Sequence, residues 1–299
     1  MPPSFPAQGN GSRNPPSTLG PETSFGHPMD FFGNRFVYVV ISPRARGLSI
    51  GVNLNPDKKC NFDCIYCEVN RALPGREARL DVKVLARELG HTFSLIQSGR
   101  LRDNPWYRNL PEELLQLRHL TLSGDGEPTM TANFSEAAEE VLHLRALGNW
   151  PFFKIVLVTN ATGLNRPEVI ETLDQFTASD EIWAKLDGGT QAHLDAVNRP
   201  DVPIEVILSN ILHVAHRRPV VLQSLFPAIN GAPPTSGEIA AYVQRLRELK
   251  EGGAQISLVQ IYSATRPTHN PVCGHLPLRV LSGIAQMVRS ETGLRAEVF

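Results

Sequence analysis

From residue 36 onward the sequence alternates short, continuously apolar runs with longer stretches whose apolar residues recur at helical spacing, and few folds accept that rhythm. The runs at residues 36–42, 48–54, 120–123, 153–159, 181–186, 220–225 and 255–262 predict strands. The stretches at 82–97, 134–147, 166–175, 203–216, 236–249 and 276–291 predict helices. In the first helix Val82, Leu85, Leu89, Phe93 and Ile96 fall on one face. Strands apolar on both faces and separated by amphipathic helices imply an α/β fold, a parallel sheet covered by helices. About six βα units follow the first strand, which suits a complete or partial barrel as well as a doubly wound sheet.

In all of these arrangements functional groups collect at the carboxyl ends of the strands. Four polar strings fall there: a cysteine loop after residue 54, S-G-D-G-E-P-T at 123–129, T-N-A-T-G at 159–163 and L-D-G-G at 186–189. Residues 1–30 are rich in Pro, Gly, Ser and Asn, carry few aliphatics, and are predicted to be disordered. Residues 36–299 are then one ordered domain, closing in a C-terminal helical extension. The formal net charge of −1 leaves no overall basic field, so nucleic acid is not an indicated partner. No apolar run is long enough to span a bilayer, and the first residues lack the basic and apolar regions of a secretory leader. A cytoplasmic protein with no membrane partner is expected.

Four cysteines are present, and three of them, Cys60, Cys64 and Cys67, form C-x3-C-x2-C. One distant cysteine and a tight triad do not make a disulfide framework. Spacing of i, i+4, i+7 also suits a buried helix face, but Asn55-Pro56-Asp57 upstream and Asn61 and Asp63 within argue for a loop. A structural zinc site usually takes four protein ligands and paired C-x2-C. A redox iron–sulfur cluster on three thiolates keeps one iron open for chemistry.

With Tyr66 just before its last cysteine, C-N-F-D-C-I-Y-C resembles the signature of the radical S-adenosylmethionine (radical SAM) superfamily. Gly126-Glu127-Pro128 resembles the family's G-G-E element, with Asp125 where the first glycine often stands. The strings G-V-N-L-N-P-D-K-K-C-N-F-D-C-I-Y-C-E, S-G-D-G-E-P-T, W-A-K-L-D-G-G-T and N-R-P also resemble a subgroup that includes the wyosine-forming tRNA enzymes. Those enzymes carry a second N-terminal cysteine set, and this chain has no cysteine before Cys60.

The resemblance implies a partial (β/α)6 TIM-type barrel, a [4Fe–4S] cluster on Cys60, Cys64 and Cys67, and S-adenosyl-L-methionine (SAM) on the open iron. Reductive cleavage of SAM would then give a 5′-deoxyadenosyl radical that abstracts hydrogen from a small-molecule or macromolecular substrate. It further implies that Glu127 binds the SAM amino group, that Gly126 lets backbone approach, that Tyr66 packs near the adenine and that Thr159 or Asn160 meets the ribose. Lys185, with Asp187 two residues on, would balance the SAM carboxylate; the plainer alternative is a structural ion pair. Gln223 and Gln260 on late strands suggest a wet barrel interior. Cys273 is a candidate hydrogen donor, thiyl radical or second-cluster ligand, against a free thiol on a late loop. Arg266, with Pro267 and His269, would face a substrate anion. Lys58 and Lys59 would attract an acidic electron donor such as flavodoxin or ferredoxin. The alternatives are a tRNA-modifying enzyme of the wyosine type and a non-catalytic zinc module.

Overall fold

The computed structural model describes residues 31–42, 44–265, 268 and 270–299; the tail predicted to be disordered, and Arg266, Pro267 and His269, lie outside the described residues. β1 (Val37–Ser42) and β2 (Gly47–Asn53) form an antiparallel pair. The chain then runs through α1 (Val82–Gln97), β3 (Leu117–Ser123), α2 (Phe134–Ala146), β4 (Lys154–Thr159), α3 (Pro167–Asp174), β5 (Glu181–Lys185), the short α4 (Gln191–Val197) and α5 (Ile204–Arg217). It continues as β6 (Val220–Leu225), β7 (Ala228–Ile229), α6 (Ser236–Glu251), β8 (Ile256–Tyr262), β9 (Cys273–Gly274), α7 (Leu278–Thr292) and β10 (Ala296–Val298).

Among the described residues the main sheet has the order β1-β2-β3-β4-β5-β6-β8-β10, and every pair after the first is parallel. β1 and β10 are its edges, so this is the partial barrel implied above, with six parallel strands in series and β10 added as a seventh. Two features differ from the sequence expectation. β1 is antiparallel, because a link of four residues, 43–46, cannot make the crossover that a parallel pair needs. The C-terminal segment holds the expected helix, α7, but continues past it: α7 is followed by Gly293 in the left-handed region (φ 67), and β10 returns to pair with Val259–Ile261 of β8.

Strand alternation sorts residues to two faces. Leu48, Ile50, Val52, Leu120, Leu122, Ile155, Leu157, Ile182, Ala184, Leu222, Val259 and Ile261 join the helix-facing core. The other face lines the barrel lumen. There Val156, Trp183 and Val221 form a separate small cluster, flanked by Val158 and Leu258. The remaining lumen positions are mostly polar. Ser49 bonds to Thr121 (3.0 Å), Gln223 to Gln260 (2.8 Å), and the Tyr38 hydroxyl to Ser123 (2.9 Å). His119 lies edge-on to Trp183, with ring centroids 5.5 Å apart. Tyr38 fits because its partner across the β1–β2 pair is Gly51, where a Cβ would lie 2.2 Å from the ring.

Buried carboxylates fasten helices to the sheet. Glu88 of α1 accepts from the backbone N–H groups of Arg35, Phe36 and Val37 at the start of β1 (2.7, 2.9 and 3.1 Å). Glu238 of α6 accepts from the Gly189 N–H and the Thr190 hydroxyl beyond β5, both at 2.6 Å. Both replace hydration lost on burial with charge-assisted bonds.

Candidate active site

The cysteine loop leaves β2 through an asparagine turn. Asn53 Oδ1 accepts from the N–H groups of Asn55 (3.1 Å) and Asp125 (2.9 Å), tying the ends of β2 and β3 together. Farther along, the N–H groups of Asp63 and Ile65 donate to the carbonyls of Asn198 (2.9 Å) and Val197 (2.8 Å), and the Asp201 N–H donates to Asn61 (3.2 Å). The end of α4 and the following N-R-P string therefore hold the loop from one side. All three thiols are free and half-buried, and each has one N–H donor: the Phe62 amide at Cys60 (3.4 Å), the Asn198 side chain at Cys64 (3.4 Å) and the Arg71 guanidinium at Cys67 (3.6 Å). Burial raises the pKa of the Cys60 thiol and pushes Cys64 up to about 12.

The G-E-P loop after β3 holds the cysteine loop from the other side. The Glu127 N–H donates to the Lys59 carbonyl (3.2 Å), and a Cβ on Gly126 would lie 1.7 Å from that oxygen. Glu127 is 2% exposed and caps the turn Pro128–Met130. Its Oε1 accepts from the Thr129 N–H (3.1 Å) and the hydroxyls of Thr129 (2.6 Å) and Thr159 (2.5 Å), while Oε2 accepts from the Asn160 N–H (2.6 Å). Burial outweighs these bonds and raises its pKa above the ordinary glutamate value. The carboxylate thus joins the ends of β3 and β4. Asn160 in turn donates from its side chain to Asn61 of the cysteine loop (2.8 Å).

A third group lies at the end of β5. Tyr66 donates its hydroxyl proton to Asp187 Oδ2, which also accepts from the Asn198 side chain (2.7 Å). Asp187 Oδ1 accepts from the Leu225 N–H (2.8 Å) and pairs with Lys185 Nζ (3.4 Å). Lys185 donates to the Tyr262 hydroxyl (3.1 Å) and lies 5.0 Å from the Tyr66 ring centroid. Burial opposes the Lys185 ammonium, but Asp187 and Tyr262 outweigh it and hold its pKa above the usual lysine value. Lys185 and Asp187 are paired with each other in this structure, and Tyr66 is held by its hydroxyl rather than by apolar packing alone.

The fold therefore brings Cys60, Cys64, Cys67, Tyr66, Gly126, Glu127, Asn160, Lys185 and Asp187 into one connected surround. Cys273 is not part of this hydrogen-bonded network among the described residues. It lies on β9, in register with Ile229 of β7, and among the described residues no hydrogen bond links it to the cysteine loop. Burial raises its pKa. Asn198, Asn53 and Asn55 join the site with little to mark them in the sequence: N-P-D and N-R-P also mark ordinary turns.

Among the described residues no three His, Cys, Asp or Glu side chains close on a single-ion cage. The fit to a cluster and SAM is judged on the chemistry of the groups present. Three thiols, each with its own N–H donor, suit the sulfur ligation of an iron–sulfur cluster. Two buried acceptors, Asn55 Oδ1 and Asp125 Oδ1, have no hydrogen-bond partner and suit an ammonium donor. Burial pushes Asp125 up to about 6, against the bond from Asn53.

Residues 54–231, more than half of the chain, match the model of the Radical SAM superfamily. The chain belongs to that superfamily. A UPF0026 protein of Synechocystis sp. is 31% identical over 182 residues, covering 58% of this chain and 57% of the relative. A UPF0026 protein of Helicobacter pylori is 26% identical over 221 residues, covering 70% of this chain and 62% of the relative. The chain spans less than two thirds of the length of these curated relatives. Among solved structures, Streptococcus suis SuiB bound to S-adenosylmethionine gives a TM-score of 0.57 at 15% identity, over 86% of this chain and 52% of that one. TYW1 with a lysine–pyruvate adduct bound gives 0.53 at 15% identity, over 83% of this chain and 74% of that one. At such identities the likeness shows the fold. No helix among the described residues is long and apolar enough to cross a membrane.

Proposed function

We propose that Cys60, Cys64 and Cys67 hold one [4Fe–4S] cluster and that SAM is bound by Tyr66, Gly126, Glu127, Asn160, Lys185 and Asp187, for hydrogen abstraction from a substrate. When bound, the reduced cluster and SAM supply a 5′-deoxyadenosyl radical. The observation that carries the reading is the joint between Lys59 and the Gly126–Glu127 turn, which seats the cysteine loop on the end of β3, while Glu127, Asn160 and the Tyr66–Asp187 bond extend the connection to β4 and β5.

Within it each residue has work to do. Phe62, Asn198 and Arg71 donate to the sulfurs and favour the thiolate form. Glu127 fixes the strand ends and retains acceptor capacity on Oε2, which carries a single hydrogen bond. Asn55 and Asp125 offer further acceptors for the SAM ammonium. The Lys185–Asp187 pair holds Tyr66 in place. An acidic donor such as flavodoxin or ferredoxin would meet the loop at Lys59, whose side chain is 86% exposed.

The reading is tested by anaerobic reconstitution with iron and sulfide. About four irons per chain, and 5′-deoxyadenosine from SAM with a strong reductant, are expected. Replacing any of Cys60, Cys64 or Cys67 by Ala should abolish both. A single bound zinc with no labile sulfide would replace this reading with a non-catalytic one.

A further inference from the structure

Among the described residues, one cation beside the barrel lumen lacks a carboxylate partner. Lys154 is paired with Glu181 (2.6 Å) and Lys185 with Asp187 (3.4 Å). The third lumen cation, Arg44, comes from the link between β1 and β2. Its guanidinium carbon lies 4.6 Å from the centroid of the Tyr262 ring on β8, and Lys185 Nζ lies 5.4 Å from the same centroid. Its charge also reaches His119 on β3, whose imidazole burial, Lys154 and Arg44 together push down to about 3, so the ring is neutral. Arg44 thus sits between the two sides of the lumen. Its Nε is buried without a hydrogen-bond partner, and among the described residues it makes no ion pair.

A guanidinium presents five N–H donors in a planar fork that matches carboxylate and phosphate oxygens. Leaving a buried charged donor without an acceptor is unfavourable, so the buried Nε, with the rest of the fork beside it, suits an anionic ligand. The Tyr262 face holds the guanidinium plane without using its N–H groups. Trp183, with Val156 and Val221, supplies an apolar wall on the same lumen face.

We infer that Arg44 anchors an oxyanion subsite in the barrel lumen, and that the substrate of this enzyme carries a carboxylate or phosphate that docks there. The inference rests on the proposed function in taking the lumen as the substrate's space. A ligand with one negative charge gives each of these three described cations a partner, whereas a neutral or cationic substrate would leave the Arg44 Nε buried without one.

The test is calorimetric titration of acetate and of inorganic phosphate, separately and at low ionic strength, into the reconstituted enzyme saturated with SAM. One anion per chain is expected. Arg44→Gln should weaken binding at least about tenfold and Arg44→Lys should keep part of it, with iron content, SAM affinity and thermal midpoint unchanged. Tighter phosphate than acetate assigns a phosphate-bearing substrate, and the reverse assigns a carboxylate. The inference is overturned if neither anion binds, if Arg44→Gln binds as wild type does, or if Arg44→Gln loses SAM while anion binding persists; the last result would give the guanidinium to SAM's own carboxylate. The same titration on the metal-free chain separates the two readings: anion binding lost on Arg44→Gln there supports the subsite even if the cluster assignment fails.

Discussion

The carbonyl oxygen of Lys59 occupies the place that a side chain at residue 126 would need, 1.7 Å from a Cβ built there. The oxygen is part of the backbone and cannot swing aside as a side-chain tip would. Gly126→Ala is therefore expected to destabilise the chain by about 1–3 kcal/mol and to unseat the cysteine loop. Chemical unfolding checks the first effect, and iron retained per chain after desalting checks the second.

Asp187 is nearly inaccessible and Lys185 lies in the same buried network. Asp187→Asn keeps the shape but strands the ammonium, for an expected loss of about 3–5 kcal/mol. Adding Lys185→Met should recover much of it. A double-mutant cycle by urea denaturation measures the coupling, and strictly additive effects would mean that the pair is not coupled.

Glu127 receives only donors: three at Oε1 and one at Oε2. Glu127→Gln would set an NH2 group against the Asn160 N–H or against the Oε1 donors. A loss of about 1–3 kcal/mol in folding stability is expected before any ligand is added. Weaker SAM binding with unchanged stability would assign Glu127 to the ligand alone.

The Asp125 carboxyl takes its proton more readily in the folded chain, at about 6 against an ordinary 3.8. Its stabilising contribution is complete below about pH 4 and is lost as pH rises through 6. Asp125→Asn has no such titration. The stability of wild type relative to the variant should fall by up to about 3 kcal/mol between pH 4 and 7, in denaturant unfolding across that range. A rise over the same interval would mean that the carboxylate has a cationic partner in solution.

Much of this architecture is legible in the sequence because strand and helix periods differ. α1 and β6 fall where periodicity places them, residues Val82–Gln97 and Val220–Leu225. β10 escapes because Ala-Glu-Val after a glycine is too short to show a period. The direction of β1 was readable from its four-residue link, a signal of chain length rather than composition. The site is harder. Glu127 before Pro128-Thr129 carries a capping pattern as well as a ligand pattern, and the structure uses the cap. Asn198 has no local mark of importance, yet one amide serves Cys64, Tyr66 and Asp187, a junction that exists only after α4 has docked. Arg44 is silent in the sequence, because nothing near it shows that its neighbours lie on β3 and β8.

The cysteine loop is held by residues that come much later in the chain: Glu127, Asn160 and the segment from Val197 to Asp201. Contacts of that span close late, since each waits for the intervening chain to collapse. A nascent chain that has reached only Cys67 exposes three thiols with none of their remote supports. The surround of the three thiols is finished only when about two thirds of the polypeptide has been made and packed. On the proposed function, cluster delivery would then follow folding rather than precede it, and metal occupancy would report whether the later segments have docked on the first loop.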